Sequence, residues 1–294
     1  MAKQKLVMIG NGMAGLRTIE EILERSQSQF DITIIGKEPY PNYNRIMLSN
    51  ILQKKMTVED TIMNPYDWYQ ENNIELINND PVEKVDKENK IVTTSKGIEV
   101  EYDICIFATG SKAFVLPIPG SNLPSVIGWR TIDDTNKMIE IAQTKKRAVV
   151  IGGGLLGLEC ARGLLDQGME VTVLHLADWL MEMQLDRKAG EMLKADLEKQ
   201  GMKIELQANS KEIIGDKDVE AIKLADGRVI ETDLVVMAVG IRPYTEVAKD
   251  SGLDVNRGIV VNDYMQTSDS HIYAVGECAE HDGKVYGLVA PLYE

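Results

Sequence analysis

The sequence contains no apolar run of the roughly 18 residues that a membrane-spanning helix needs. Its start, "MAKQKLVMIG", carries no signal-peptide cleavage site and leads directly into an apolar strand. Both absences argue against a membrane or secreted protein, and the expectation is a cytoplasmic one. Thiols are scarce as well. The three cysteines, Cys105, Cys160 and Cys278, are odd in number, far apart and never in a CxxC pair, so they form neither a disulfide framework nor a metal-binding cluster. Two of them sit inside apolar stretches and read as buried reduced thiols. Positive charge is in deficit: 32 Lys and Arg against 46 Asp and Glu give a net charge of −14. That balance repels a phosphate backbone and removes nucleic acid from the expected partners. Low-complexity segments and long linkers are missing too. What remains, 44% apolar and 27% charged over 294 residues, is a soluble globular chain long enough for two ordinary domains.

Within it, short β-branched runs alternate with helical segments, the pattern of parallel strands joined by crossovers. "KLVMI" predicts a strand, Met13 to Arg25 a helix with Leu16, Ile19, Ile22 and Leu23 on one side, and "DITII" a second strand. From Arg147 the same order returns as "RAVVI", a helix from Leu155 to Gln167, and "EVTVL". Each unit closes on an apolar strand and a small-residue turn, "YDICIFATG" and "TDLVVMAVG", so the chain contains a diverged internal duplication. The polar stretches before those closing strands read as antiparallel meanders. A late apolar strand, "HIYAVGE", is followed by "APLYE", the opening of a helix. The expected fold is α/β, with two Rossmann-like dinucleotide-binding domains, each holding an inserted meander. The first is discontinuous, residues 1–113 and 242–294, and the second spans 114–241.

The two glycine turns carry the functional signal. Gly10, Gly12 and Gly15 fit G-x-G-x-x-G between a strand and a helix. The first glycine permits the tight turn, the second lets a pyrophosphate approach the backbone, and the third lets helix pack on strand. The helix N-terminus then offers N–H groups and partial positive charge to phosphates. Glu38, after "ITIIGK", stands where an acid holding a ribose is expected. Arg45, in "PYPNYNR", is a candidate for a charge-assisted pyrophosphate contact. Gly152, Gly154 and Gly157 repeat the fingerprint, but His175 stands where the second ribose-binding acid is expected. No Lys or Arg lies between Glu170 and Asp186 to pair with a 2′-phosphate, while Asp178 and Glu182 would repel one. NADH is therefore expected over NADPH.

Two fingerprints, the "ATG" and "AVG" closures and the "YAVGE" strand together resemble the FAD-dependent pyridine-nucleotide oxidoreductases, over nearly the whole chain. Within them, "EPYPNYNRIMLS", "IGGGLLGLE", "MQLD", "GIVVNDYMQTS" and "YAVGECAEHDGKVYGLVAPLYE" are most similar to the N-terminal region of assimilatory NAD(P)H-nitrite reductase large subunits. The resemblance implies that Gly10, Gly12, Gly15, Glu38 and Arg45 bind FAD, with Thr109, Gly110, Gly276 and Glu277 at the strand ends facing it. It assigns Gly152, Gly154 and Gly157 to NAD(P)H and places Glu159 beside nicotinamide and flavin, while His175, by its place after the strand, is a further candidate for the NAD(P)H site. No metal site is expected. The implied activity is hydride transfer from NADH to FAD, supplying electrons for nitrite reduction to ammonium. In that family the later iron–sulfur and sirohaem centres lie in downstream domains, with a small subunit as a further partner. Thiol chemistry is disfavoured, because Asn50 follows Leu48–Ser49 where thiol-based NADH oxidases carry a cysteine. Two alternatives share these motifs: a free-standing ferredoxin or rubredoxin reductase, and a truncated nucleotide-binding module without turnover. The C-terminal interface domain of the superfamily is absent from this sequence. With the helix after "APLYE" cut short, weak FAD retention and a homodimer are expected.

Overall fold

The structure, a computed structural model, describes residues 3–26 and 28–287. It forms two compact units, residues 1–44, 62–112 and 242–294, and residues 45–61 and 113–241. The elements that position the site are, in chain order, β1 (Gln4–Ile9), α1 (Met13–Ser26), β2 (Phe30–Ile35), α2 (Leu48–Leu52), β3 (Ile104–Phe107), β4 (Arg147–Ile151), α3 (Leu155–Asp166), β5 (Glu170–Leu174), α4 (Arg187–Lys199), β6 (Leu234–Met237) and β7 (Ile272–Ala274).

The first unit is built on a parallel sheet in the order β7, β3, β1, β2 and Ile74–Ile77. Successive side chains of a strand point to opposite faces, and β1 uses both. Leu6 and Met8 pack with Leu16 and Ile19 of α1, while Val7 and Ile9 pack with Val82, Val85 and Val92. Each such side chain stabilises the fold by about 1.5–3 kcal/mol on burial. Burial on both faces is why the strand reads as an unbroken apolar run. The register sets Ile9 level with Ile35 and Phe107, and Phe107 level with Ala274. The carboxyl ends of four adjacent strands are thereby aligned at one rim.

The second unit repeats the plan, with Val126–Gly128, β6, β4, β5 and Lys203–Glu205 all parallel. Ile151 is level with Leu174 and with Met237. Each unit also carries a three-stranded antiparallel meander, Val82–Asp86, Ile91–Thr94 and Glu99–Glu101 in the first, Ser210–Ile214, Ala221–Leu224 and Val229–Glu231 in the second. The apolar strand that opens each polar stretch, Ile74–Ile77 or Lys203–Glu205, extends the parallel sheet instead. Each follows a helix, and a helical crossover delivers the next strand parallel.

One boundary differs from the sequence reading. Residues 45–61, expected in the first domain, group with the second unit. The cause is packing: Leu48, Ile51 and Leu52 are buried, and the Leu52 side chain occupies the space a Cβ on Gly163 of α3 would need. The amide of Gln167 also donates to the Leu52 carbonyl at 2.7 Å. The expected helix at "APLYE", and the FAD loss and homodimer tied to it, fall outside the described residues. Among the described residues no helix is long and apolar enough to cross a membrane.

Candidate nucleotide-binding sites

The two glycine turns have the same geometry. Gly10 follows the end of β1 with φ +117°, and Gly152 follows the end of β4 with φ +118°. A Cβ on Gly10 would run into the Ala108 carbonyl oxygen, and one on Gly152 into the Ala238 carbonyl oxygen. This explains the "ATG" and "AVG" closures, whose alanine carbonyls fill the space beneath each turn. Gly15 and Gly157 lie against the carbonyl oxygens of Gly10 and Gly152 and the alanine methyls. Gly12 and Gly154 have nothing within 4 Å of a built Cβ. Each turn thus offers an open cradle at its second glycine only. Helix α3 starts at Gly154 without a side-chain cap, and neither α1 nor α3 has an acid in its first turn, so their leading N–H groups suit an anion.

In the first unit the aligned strand ends bring Thr109, Gly110, Gly276 and Glu277 together. The Thr109 hydroxyl donates to the Tyr244 carbonyl at 2.8 Å, and the Ser111 hydroxyl donates to Glu277 Oε2 at 2.7 Å. Glu38 sits beyond β2, where it accepts from the Tyr43 hydroxyl at 2.7 Å. Sequence reasoning missed the network that holds this turn. The Tyr69 hydroxyl donates to Asn11 Oδ1 at 2.8 Å and accepts from the Asn42 backbone N–H at 3.1 Å, while Asn42 Nδ2 donates to the Asn11 carbonyl. Burial pushes the Tyr69 phenol up to about 12. Asn42 Oδ1 is buried with no partner among the described residues, an acceptor that a nucleotide hydroxyl or amine would satisfy. The sequence signal was the pair of asparagines in "NGMAG" and "PNYN".

Arg45 groups with the second unit, and its Nη1 donates to the Arg130 carbonyl at 3.2 Å.

In the second unit His175 is buried beneath the turn. The Gly153 N–H donates to its Nδ1 at 3.0 Å, so the ring proton is on Nε2, 2.9 Å from Glu182 Oε2. Arg187, one residue beyond the segment free of cations, reaches back to Asp178 at 2.9 Å. Glu159 stands half-buried on α3, and burial raises its carboxyl above the ordinary range. The hydroxyl of Ser49, on α2, opposes that rise by hydrogen bonding to the carboxylate. The Ile46 carbonyl, 3.3 Å from the same hydroxyl, competes for its single proton. Removing the hydroxyl in Ser49→Ala is expected to let Glu159 keep its proton to higher pH, while Ser49→Thr behaves as wild type. A carbon-detected titration of the Glu159 carboxyl measures this, and superimposable curves for Ser49→Ala and wild type would rule the contact out.

The three cysteines are free and buried, and burial raises each thiol, so none is poised as a nucleophile. Among the described residues no group of His, Cys, Asp or Glu is placed to hold a metal.

Comparison with known proteins decides what the paired turns belong to. The family model described as "Pyridine nucleotide-disulphide oxidoreductase" matches residues 4–290. The chain belongs to this family. It is an NAD(P)H-dependent flavoprotein reductase module, and its family binds FAD and a nicotinamide nucleotide; the two open cradles fit both. The chain is 58% identical, over its full length, to nitrite reductase [NAD(P)H] of Bacillus subtilis (strain 168), and 47% identical to the assimilatory nitrate reductase electron transfer subunit of the same organism. It spans 36% and 38% of those relatives, little more than a third of either. It is also similar to the crystal structure of NADH:rubredoxin oxidoreductase from Clostridium acetobutylicum, with a TM-score of 0.83 at 31% identity, over 99% of this chain and 72% of that one.

Proposed function

We propose that this oxidoreductase module takes hydride from NADH and supplies electrons for the reduction of nitrite to ammonium. The observation supporting this reading is the 58% identity to a nitrite reductase along the whole chain. Iron–sulfur and sirohaem centres on further domains, with a small subunit, complete the electron path. FAD held by this chain would supply hydride acceptance from the nicotinamide nucleotide and onward release of electrons. In this reading the backbone at Gly10, Gly12 and Gly15 receives the FAD pyrophosphate, Glu38 accepts from a ribose hydroxyl, and Thr109, Gly110, Gly276 and Glu277 line the strand ends beside the cofactor. Gly152, Gly154 and Gly157, with His175 beneath them, receive the nicotinamide nucleotide. Glu159, raised by burial and restrained by Ser49, sets the charge near the transferred hydride. Preference for NADH rests on the acidic loop after β5, where Asp178 faces Arg187 and Glu182 faces His175. Domains 1–113 plus 242–294 for FAD and 114–241 for NADH remain our assignment of the units, with residues 45–61 moved to the second.

NADH is expected to bleach the flavin absorbance of the FAD-loaded chain and support ferricyanide reduction, with no nitrite consumed by this chain alone. Nitrite loss, or an unbleached flavin, would overturn the reading. The second reading, a rubredoxin reductase, is favoured by the match to most of a solved one. Reduction of rubredoxin as fast as ferricyanide would favour it over the first.

A further inference from the structure

We propose that Glu182, held by His175, distinguishes a ribose 2′-hydroxyl from a 2′-phosphate in the second unit. This rests on reading the Gly152–Gly157 turn as the nicotinamide-nucleotide site. In a Rossmann unit the position after the second strand carries the acid that accepts from the ribose. Here that position is His175, and both of its ring nitrogens are used. Nδ1 accepts from the Gly153 N–H at 3.0 Å, and Nε2 lies 2.9 Å from Glu182 Oε2. The imidazole has no acceptor left for a hydroxyl, so the acid reached through it takes the role. Glu182 Oε1 makes no hydrogen bond among the described residues, and the side chain is 35% exposed.

The loop is built to present that oxygen. Met181, in the left-handed region at φ +56°, donates its N–H to the Gly153 carbonyl at 3.1 Å. The Leu180 side chain and the His175 ring occupy the space a Cβ on Gly153 would need. Both backbone polar groups of Gly153 are therefore tied to the strand end and loop that carry His175 and Glu182. The neighbouring acid is already partnered: Asp178 accepts from Arg187 at 2.9 Å and from Gln207 at 2.8 Å, one bond on each oxygen. Arg187 also lies over the Trp179 ring at 5.2 Å, and its charge is partly offset by the Asp178 carboxylate. An ionised Glu182 accepts from a hydroxyl and repels a doubly charged phosphate.

The test uses ligands that need neither flavin nor hydride transfer: calorimetric binding of ADP-ribose and of 2′-phospho-ADP-ribose to the purified chain. Wild type is expected to prefer ADP-ribose. Glu182→Gln keeps an acceptor for His175 Nε2 and removes the charge, and should narrow the preference by about tenfold or more, through tighter binding of the phosphorylated ligand. An unchanged ratio, or an equal loss for both ligands, would overturn the assignment of Glu182 and leave the nucleotide site standing. Failure of wild type to bind either ligand would overturn the site itself.

Discussion

Gly154→Leu is expected to fold normally and to lose nicotinamide nucleotide, and Gly12→Leu to fold normally and lose FAD. Neither position has positive φ, and neither has an atom within 4 Å of a built Cβ. The Cβ enters open space, so the backbone meets no clash at the point of attachment. The same space is where a pyrophosphate must come against the backbone to reach the N–H groups at the start of α1 or α3. Filling it removes those hydrogen bonds together with the helix-dipole contact, on the order of 3 kcal/mol and a factor above about a hundred in affinity. The two losses should be separable. Titrated with FAD, Gly154→Leu binds flavin as wild type does while calorimetry finds ADP-ribose binding weakened about a hundredfold or more, and Gly12→Leu shows the reverse. Equal affinities in variant and wild type would mean that the open second glycine is a turn feature and no phosphate cradle.

What made these positions legible is that their causes are local. A strand must run into a tight turn and then a helix, and glycines at fixed offsets with flanking apolar runs state this within about fifteen residues. Duplication was legible for the same reason, down to "ATG" and "AVG", whose alanine carbonyls meet the first glycines. The grouping of residues 45–61 was not: it is decided by burial of Leu48, Ile51 and Leu52, with Leu52 against Gly163, more than a hundred positions away. Ser49 came within reach of Glu159 through the same packing, so a residue that read only as the end of an "LS" dipeptide became the partner of a carboxylate. His175 was legible as a departure from the expected acid, but its remedy was not. Glu182 reaches it only because Met181 adopts a left-handed backbone and ties the loop to Gly153. Nor does spacing alone show that Asn11, Asn42 and Tyr69 meet, since their side chains converge from three separate elements of the first unit.

Substituting the first glycine of each turn should have the opposite consequence, loss of the fold before loss of the ligand. Gly10→Ala and Gly152→Ala place a methyl group against a backbone carbonyl oxygen, in a φ near +118° that L-residues rarely adopt. That carbonyl cannot turn aside. It belongs to Ala108 or Ala238, which follow β3 and β6, and the amide of each of these alanines is itself bonded, to the carbonyls of Ile9 and Ile151. Relief requires the turn to lift off the sheet, which disturbs the packing of Leu16 and Ile19 in the first unit and of Leu158 and Ala161 in the second. Backbone strain and displaced packing together should cost about 4 kcal/mol or more, a large part of the 5–15 kcal/mol that holds a typical protein folded. For a chain of this size that is a fall of roughly 10 °C or more in midpoint. Thermal unfolding monitored by circular dichroism, without added nucleotide, measures it. The control is Gly12→Ala, which has open space and ordinary φ and should unfold with wild type. If all three variants melted together, the shared φ and the shared carbonyl beneath each turn would have no energetic meaning, and the duplication would be one of sequence alone.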